Sequence, residues 1–147
     1  MTKRFLTAAL LLLSYGAHAA TTPSVTLHGK QFSTEFATDD ASRELGLMNR
    51  TSLAADHSML FIFVNDEPRA FWMKNTLIPL DILYFDKERK LISMQLNAQP
   101  CKADPCAIYP SDGSARYVLE LQAGTAGRLG LKLGESLTIE GDTGPVR

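Results

Sequence analysis

Residues 80–97 read LDILYFDKERKLISMQLN, and this stretch decides the fold class of the chain. Two runs rich in apolar residues, 80–85 and 91–97, flank the charged segment DKERK at 86–90. Short apolar runs joined by a polar turn are typical of two antiparallel strands. The stretch therefore predicts a β-hairpin of Leu80–Phe85 with Leu91–Asn97.

Similar runs on both sides of this hairpin predict further strands. The run SMLFIFV at 58–64 is continuously apolar, which indicates a strand covered on both faces, and NDEP at 65–68 is expected to form a turn after it. The remaining predicted strands are Val25–Leu27, Gln31–Ala37, Ala70–Lys74, Arg116–Gln122 and Glu135–Glu140.

A helix is expected between the second and third strands. Thr38 suits its N-cap, acidic residues follow the cap, and the helix is expected to end near Asn49. Ala41, Leu45 and Met48 recur at i, i+4 and i+7, which places them on one face. A shorter helical turn is predicted later in the chain, capped by Thr125 and ended by Gly130.

Seven or eight short strands with one clear helix indicate a mainly β fold. We expect a single domain at 20–140, built as a sandwich or a small barrel with one or two short helices. The polar residues 141–147 are predicted to form a flexible tail.

The first nineteen residues have the parts of a secretory signal peptide. Lys3 and Arg4 precede an apolar stretch at 5–13, and Ala17 and Ala19 are the small residues typical of a cleavage site. We predict cleavage after Ala19 and export to the periplasm. The stretch is too short to span a bilayer, and no later apolar run approaches that length, so no membrane span is expected after cleavage.

The balance of charge argues against one class of partner. The whole chain has a net charge of −1, and loss of Lys3 and Arg4 would leave 13 basic against 16 acidic residues, a net charge of −3. Proteins that bind nucleic acids or anionic membranes rely on clustered positive charge. We therefore expect no nucleic-acid partner.

The only cysteines, Cys101 and Cys106, bracket the segment KADP. In an oxidising compartment this arrangement favours a structural disulfide over a redox pair or a metal site, because the spacing is not Cys-x-x-Cys. Closing so small a loop stabilises a fold by only about 2 kcal/mol. The bond is thus expected to rigidify one loop rather than to hold the whole domain.

Five stretches carry a resemblance to a known family. They are GLMNR at 46–50, MLFIF at 59–63, FWMKNTLIPLDI at 71–82, YVLEL at 117–121 and GLKLGE at 130–135. Together they resemble the domain of unknown function family 192, small bacterial and archaeal proteins of which many are exported. The resemblance spans about residues 25–140 and implies a mainly β, jelly-roll-like sandwich. It implies no reaction, ligand or cofactor.

Polar residues interrupt the apolar block at 71–82 and raise the question of a site. Asp81 lies in a strand of apolar residues, where a carboxylate needs hydrogen-bond donors to offset its burial. One interpretation is structural, with Asn75 and Asp81 holding a turn through backbone hydrogen bonds and Lys74 in solvent.

The alternative is a concave site that binds a small polar ligand or an envelope protein. Trp72 would supply a flat wall for a sugar ring or a peptide, Lys74 would meet an anion, and Asn75 and Asp81 would accept hydrogen bonds. We predict a non-catalytic binding site formed by these four residues and Glu120, with no cofactor.

A hydrolase acting on envelope material is a second hypothesis. It would use Asp81 with another acid, such as Glu120, Glu44 or Asp56, because general acid and base catalysis needs two carboxyl groups close together. The spacing of these residues along the chain does not show which of them meet.

Methionines offer a third hypothesis, a Cu(I) site. Thioether and imidazole ligands are available from Met48, Met59, Met73, Met94 and His57. The methionines lie among Leu, Phe or Trp residues, and the sequence has no Met-x-x-Met repeat. We therefore expect them to fill the core and predict no metal site.

Overall fold

The computed structural model describes residues 22–147, so the predicted signal peptide at 1–19 and its cut after Ala19 lie outside the described residues. The strands and helices in this range are β1 (Ser24–Leu27), β2 (Lys30–Ala37), α1 (Asp40–Leu45), β3 (His57–Trp72), β4 (Leu80–Phe85), β5 (Leu91–Ala98), β6 (Ile108–Gln122), α2 (Thr125–Leu129) and β7 (Leu137–Glu140). The strands form one curled, half-barrel sheet in the order β5-β4-β6-β3-β2-β1-β7. The prediction of a mainly β fold with one or two short helices is confirmed.

The predicted hairpin of β4 and β5 is also confirmed. The two strands pair antiparallel, with Leu83 opposite Met94 and Tyr84 opposite Ser93. All six residues of β4 are buried, because β4 lies between β5 and β6 and both of its faces are covered.

The turn predicted at 65–68 does not form, and Ala70–Lys74 is not a separate strand. Instead β3 continues to Trp72 and remains paired with β6, which itself begins at Ile108 rather than at Arg116. The pairing shifts register between Ile62 and Glu67, as at a β-bulge. The residues NDEP therefore form an irregularity within the long two-stranded ribbon of β3 and β6 instead of a turn.

This ribbon bends sharply over one face of the sheet. Phe61 and Phe71 lie ten positions apart on β3, so a straight strand would separate them by roughly 33 Å. Their ring centroids are only 4.9 Å apart, in edge-to-face contact. The distal half of β3 therefore folds back onto the proximal half and creates a concave surface.

Apolar side chains cover both faces of the sheet and form two clusters. One cluster includes Leu60, Leu83 and Leu119, and the other, on the concave face, includes Phe61 and Val118. Neighbouring residues of a strand thus belong to different clusters, as the alternation of strand side chains requires. Burial on both faces explains the apolar residues at 59–62, whereas Val64 at the end of the run is exposed.

The connection between β2 and β3 contains α1. These two strands pair parallel, so the chain must cross over between them. The N-cap is Asp39 rather than Thr38, because the Asp39 carboxylate accepts the Ser42 backbone N–H at 2.9 Å. The helix ends at Leu45 rather than near Asn49.

Gly46 explains why α1 ends early. Its φ of +47° lies in the left-handed region, and a Cβ there would be 3.2 Å from the Phe61 ring. The glycine therefore lets the end of α1 approach the concave face closely.

The C-terminal elements differ slightly from the prediction. The N-cap of α2 is Gly124 rather than Thr125, while the helix ends at Gly130 as predicted. The last strand, β7, begins at Leu137 rather than at Glu135 and pairs with β1. The tail predicted to be flexible is tethered at its end, since the Arg147 N–H donates to the Thr38 carbonyl at 2.9 Å.

The predicted disulfide is confirmed. Cys101 and Cys106 are bonded, with their Cα atoms 5.5 Å apart. Within residues 22–147, none of the helices has the length and apolar character needed to cross a membrane.

Candidate functional site

A cavity of about 310 Å³ lies where α1 meets the folded-back part of β3. Its size is at the lower end of the range typical of small-molecule sites. One side comes from α1 and the residues after it, another from both halves of β3, and the floor from β6. Its lining is Asp40, Arg43, Glu44, Leu45, Gly46, Leu47, Met48, Phe61, Phe63, Ala70, Phe71, Trp72, Thr76 and Glu120.

Glu120 is the buried acid of this cavity. It lies opposite Met59 of β3 and Ile82 of β4, so its side chain shares the concave face with them. Only 5% of the residue is exposed, and its Oε2 atom has no hydrogen-bond partner. Burial raises the pKa of Glu120 to about 8, so the carboxyl is mostly protonated at pH 7.

Tyr84 is a neighbour of Glu120 but does not satisfy it. The Tyr84 hydroxyl donates to the Tyr109 carbonyl oxygen at 2.6 Å, which commits its one proton to the backbone. Burial raises the pKa of Tyr84, and the charge of Glu120 acts in the same direction. The acid therefore remains available to a molecule in the cavity.

Aromatic rings form the walls. Phe71 contacts Phe61 and also lies edge-to-face with Tyr84 at a centroid distance of 6.0 Å. Trp72 lies at the end of β3 opposite Ile108 and is 46% exposed. The cavity thus combines an apolar interior with one unpartnered acid, the combination expected of a ligand site.

Two of the five predicted site residues, Trp72 and Glu120, line this cavity. Lys74 does not, since its ammonium lies 3.4 Å from the Asp104 carboxylate beside the disulfide loop. That ammonium is also 5.4 Å from the centroid of the Trp72 ring. Asn75 lies outside as well, and its φ of +55° explains an asparagine at this turn.

Asp81 lies on the other side of the sheet and has an architectural role. It is 1% exposed, and its two oxygens accept the backbone N–H groups of Asn97 and Ala126, each at 2.9 Å. These bonds join β4 to the end of β5 and to the first turn of α2. Because both oxygens are occupied by the protein's own amides, we do not include Asp81 in the site.

The carboxyl pairs of the hydrolase hypothesis do not assemble around Asp81. Asp81 is opposite Leu121, whereas Glu120 is opposite Ile82, so the two acids point to opposite faces. Asp56 lines a different depression, next to Ser33. Glu44 lines the cavity of Glu120, but Asp81 does not reach it.

The methionines do not converge on one point. Met59 and Met73 belong to the core on the concave face, whereas Met94 packs against the core on the other face. The His57 ring nitrogen lies 2.8 Å from the Glu35 carboxylate. In the part of the chain that the structure describes, no three His, Cys, Asp or Glu residues are placed to hold a metal ion.

The walls contributed by Phe61, Phe71 and α1 were not predicted from the sequence. The sequence did contain an indication that Glu120 is buried at the floor of the cavity. In the strand YVLEL, Glu120 lies on the same face as the apolar Val118. An acid on the same strand face as a buried valine is a candidate for a perturbed pKa.

Two solved structures are similar to this chain. One is a protein from Sinorhizobium meliloti 1021 whose description proposes a transcription regulator; it is 38% identical, has a TM-score of 0.74, and the match covers 84% of this chain and 98% of that protein. The other is a protein of unknown function from Novosphingobium aromaticivorans DSM 12444; it is 32% identical, has a TM-score of 0.72, and the match covers 89% and 93%. Among curated proteins, none matches this chain.

The family comparison agrees with the resemblance seen in the sequence. The model of the DUF192 family, described as "Uncharacterized ACR", matches residues 23–139. The matched range contains β1 to β6 completely and β7 except for its last residue, Glu140. The chain therefore belongs to the DUF192 family.

Proposed function

We propose that this chain is an exported, non-catalytic domain that binds a small amphipathic molecule in the cavity beneath α1. The observation that carries the proposal is Glu120, a 95% buried acid whose Oε2 has no partner and which faces a cavity walled by aromatic rings. Leaving a buried polar group unpaired costs about 1–3 kcal/mol, and a ligand that bonds to it removes this cost. Glu120 replaces Asp81 as the central polar group of the predicted site.

The lining of the cavity favours binding over catalysis. Among its fourteen lining residues there is no serine, cysteine, histidine or lysine, so the usual activated nucleophiles and the commonest general base are missing from it. Thr76 is its one hydroxyl-bearing side chain, and that hydroxyl lies 3.4 Å from the Lys74 carbonyl oxygen. Sugar-like and peptide-like shapes remain the ligand classes to test.

Export is part of the same proposal. The signal-like residues 1–19 support it, and the disulfide of Cys101 and Cys106 is compatible with an oxidising compartment. We do not extend transcription regulation to this chain, because its net charge of −1 gives no excess of basic residues for DNA.

The test uses three small probes: methyl β-glucoside, N-acetylphenylalaninamide and benzyl alcohol. Binding is followed by NMR through the methyl group of Met48, which lines the cavity. We expect at least one probe to shift this signal saturably, and we expect Trp72→Ala and Glu120→Leu to weaken that binding at least tenfold. Leu133→Ala is the matched control, because Leu133 is 62% exposed and does not line the cavity.

Two results would contradict the proposal. One is the absence of saturable binding at millimolar concentration for all three probes and for benzylammonium, the charged analogue of benzyl alcohol. The other is a dissociation constant that stays the same in Trp72→Ala and Glu120→Leu, since binding would then occur elsewhere on the surface.

A further inference from the structure

Glu120 defines what the innermost group of a ligand must provide. Its carboxyl group is cut off from solvent, and the nearby Tyr84 hydroxyl donates to the backbone instead. We therefore assign the missing partner of Oε2 to a group of the occupant. A buried carboxylate is best satisfied by a group that both donates hydrogen bonds and carries a positive charge.

The rings around the cavity suit a cation. The negative face of an aromatic ring attracts an ammonium or a guanidinium. Two lining rings already have cations near them. The guanidinium groups of Arg69 and Arg43 lie 3.8 Å and 5.2 Å from the centroid of Phe63, and the Lys74 ammonium lies 5.4 Å from that of Trp72. Phe71 lines the same cavity as Glu120.

The charges at the rim point the same way. The rim holds the carboxylates of Asp40 and Glu44 and the guanidinium of Arg43, a net charge of −1, and ionisation of Glu120 at the floor would make the lining −2. The guanidinium, Arg43, is already engaged by the Asp40 carboxylate at 2.7 Å and by the Ile62 carbonyl oxygen at 2.8 Å. Glu44 makes no ion pair with the described residues, so the rim attracts cations and repels anions.

We propose that the occupant is a small amine, whose ammonium group contacts the Glu120 carboxylate while its apolar stem lies among Phe61, Phe71 and Trp72. This inference rests on the proposed function, since it specifies the chemistry of the ligand in the same cavity. The cavity volume of about 310 Å³ limits the amine to a single ring or a short alkyl chain.

Amine binding has a proton signature that a neutral ligand does not share. Because burial holds the pKa of Glu120 near 8, the acid is protonated in the empty cavity at pH 7, and an entering ammonium displaces that proton into solvent. Affinity for an amine therefore rises between pH 6 and 8. A neutral ligand that accepts a hydrogen bond from protonated Glu120 would instead lose affinity as the pH rises through 8.

Several other charged and titratable groups lie on the elements that pack around Glu120. Tyr84 approaches from β4, and α1 contributes Asp40, Arg43 and Glu44. On β6 the nearest charged residue in sequence is Arg116. On β2 the nearest charged residue is Glu35, whose carboxylate is already bound by Arg50 and His57. None of the carboxyl groups among them is buried as Glu120 is, so Glu120 is the expected source of the proton.

The experiment compares benzylammonium with benzyl alcohol by calorimetry at pH 6, 7 and 8, in two buffers of different ionisation enthalpy. We expect benzylammonium to bind at least tenfold more tightly at pH 8 than at pH 6. At pH 7 its binding should release close to one proton. Two further compounds distinguish the sources of the ammonium group. Butylammonium represents a free amine, and N-acetyl-lysinamide represents the lysine side chain of a peptide. If either one binds more tightly than benzyl alcohol, the ammonium assignment is supported.

Two variants make the test specific. Glu120→Gln keeps the shape of the acid but should abolish proton release and reduce benzylammonium affinity at least tenfold. Glu88→Gln removes an exposed acid in the turn between β4 and β5, outside the cavity, and should preserve proton release with less than a threefold loss of affinity.

The possible failures are distinguishable. If benzyl alcohol binds as tightly as benzylammonium, or if benzylammonium binds without releasing a proton, the amine assignment is overturned while the proposed binding function stands. If neither compound binds and the neutral probes also fail, both proposals are overturned together.

Discussion

Replacement of Glu120 by glutamine should change how the stability of the fold depends on pH. Burial raises the pKa of Glu120 from 4.5 to about 8, so the folded protein holds a proton that the unfolded chain releases above pH 4.5. Stability is therefore greatest below pH 4.5 for this group and falls as the pH rises towards 8. Above pH 8 both states are ionised and the loss is complete.

The size of this effect follows from the two pKa values. Each pH unit between them lowers the free energy of unfolding by about 1.4 kcal/mol, so the full loss is about 5 kcal/mol, of which about 3 kcal/mol has occurred by pH 7. Glu120→Gln carries no titrating proton at this position and lacks this loss. Relative to the wild type, the variant should thus gain stability steadily between pH 5 and pH 8.

The assay is urea denaturation of both proteins at pH 5, 6, 7, 8 and 9, read as the difference between their free energies of unfolding. Groups that titrate alike in both proteins cancel in this difference. Glu44→Gln is the control, because Glu44 is exposed. The difference in free energy of unfolding between this variant and the wild type should hardly change with pH. A difference between wild type and Glu120→Gln that stays constant within about 1 kcal/mol from pH 5 to 9 would refute the reasoning.

Three further predictions concern the rest of the molecule. Asp81→Ala should lower the free energy of unfolding by about 2–4 kcal/mol in urea denaturation because one buried and one part-buried N–H group lose their acceptor, and a loss below about 1 kcal/mol would contradict its architectural role. The double variant Cys101→Ser, Cys106→Ser should lose about 2 kcal/mol in the same assay, and an unchanged urea midpoint would count against this. The hydrogen bond from Arg50 lowers the pKa of Glu35 to about 2, so Glu35 stabilises the fold above pH 4.5 and this contribution is lost as the pH falls through 2. Since the Glu35 side chain is 39% exposed, solvent screening reduces the effect to about 1 kcal/mol; acid unfolding curves of wild type and Glu35→Gln that coincide would show that it is absent.

Features set by local sequence were predicted well. The hairpin of β4 and β5 depends on two short apolar runs and a charged turn, all within eighteen consecutive residues. The disulfide joins cysteines five positions apart. In both cases the interacting residues are neighbours in sequence, so the pattern contains the information needed.

The bend of β3 depends on contacts that the sequence does not reveal. NDEP has the composition of a turn, but the ribbon is fixed at this point by Arg69, whose Nε donates to the Ala115 carbonyl oxygen at 3.0 Å and whose backbone N–H donates to Ser111 Oγ at 2.9 Å. These partners lie more than forty residues away. Long-range pairing thus overrides the local turn preference.

The same distinction applies to the site. The position of Asp81 among apolar strand residues indicated that its carboxylate needs hydrogen-bond donors. The sequence could not show that Phe71 lines the same cavity as Glu120, because that depends on the bend. It also could not show that α2 supplies one donor to Asp81.

The parallel pairing of β2 and β3 makes the chain leave the sheet after Ala37 and return at His57. Residues 38–56 make this excursion and contribute one side of the cavity, whereas the acid and most of the rings belong to paired strands. Mutations in the excursion can therefore reshape the entrance without disturbing any ladder of hydrogen bonds. The entrance of the cavity and the paired strands are therefore encoded in separate stretches of the chain, so the entrance can change while the sheet is maintained.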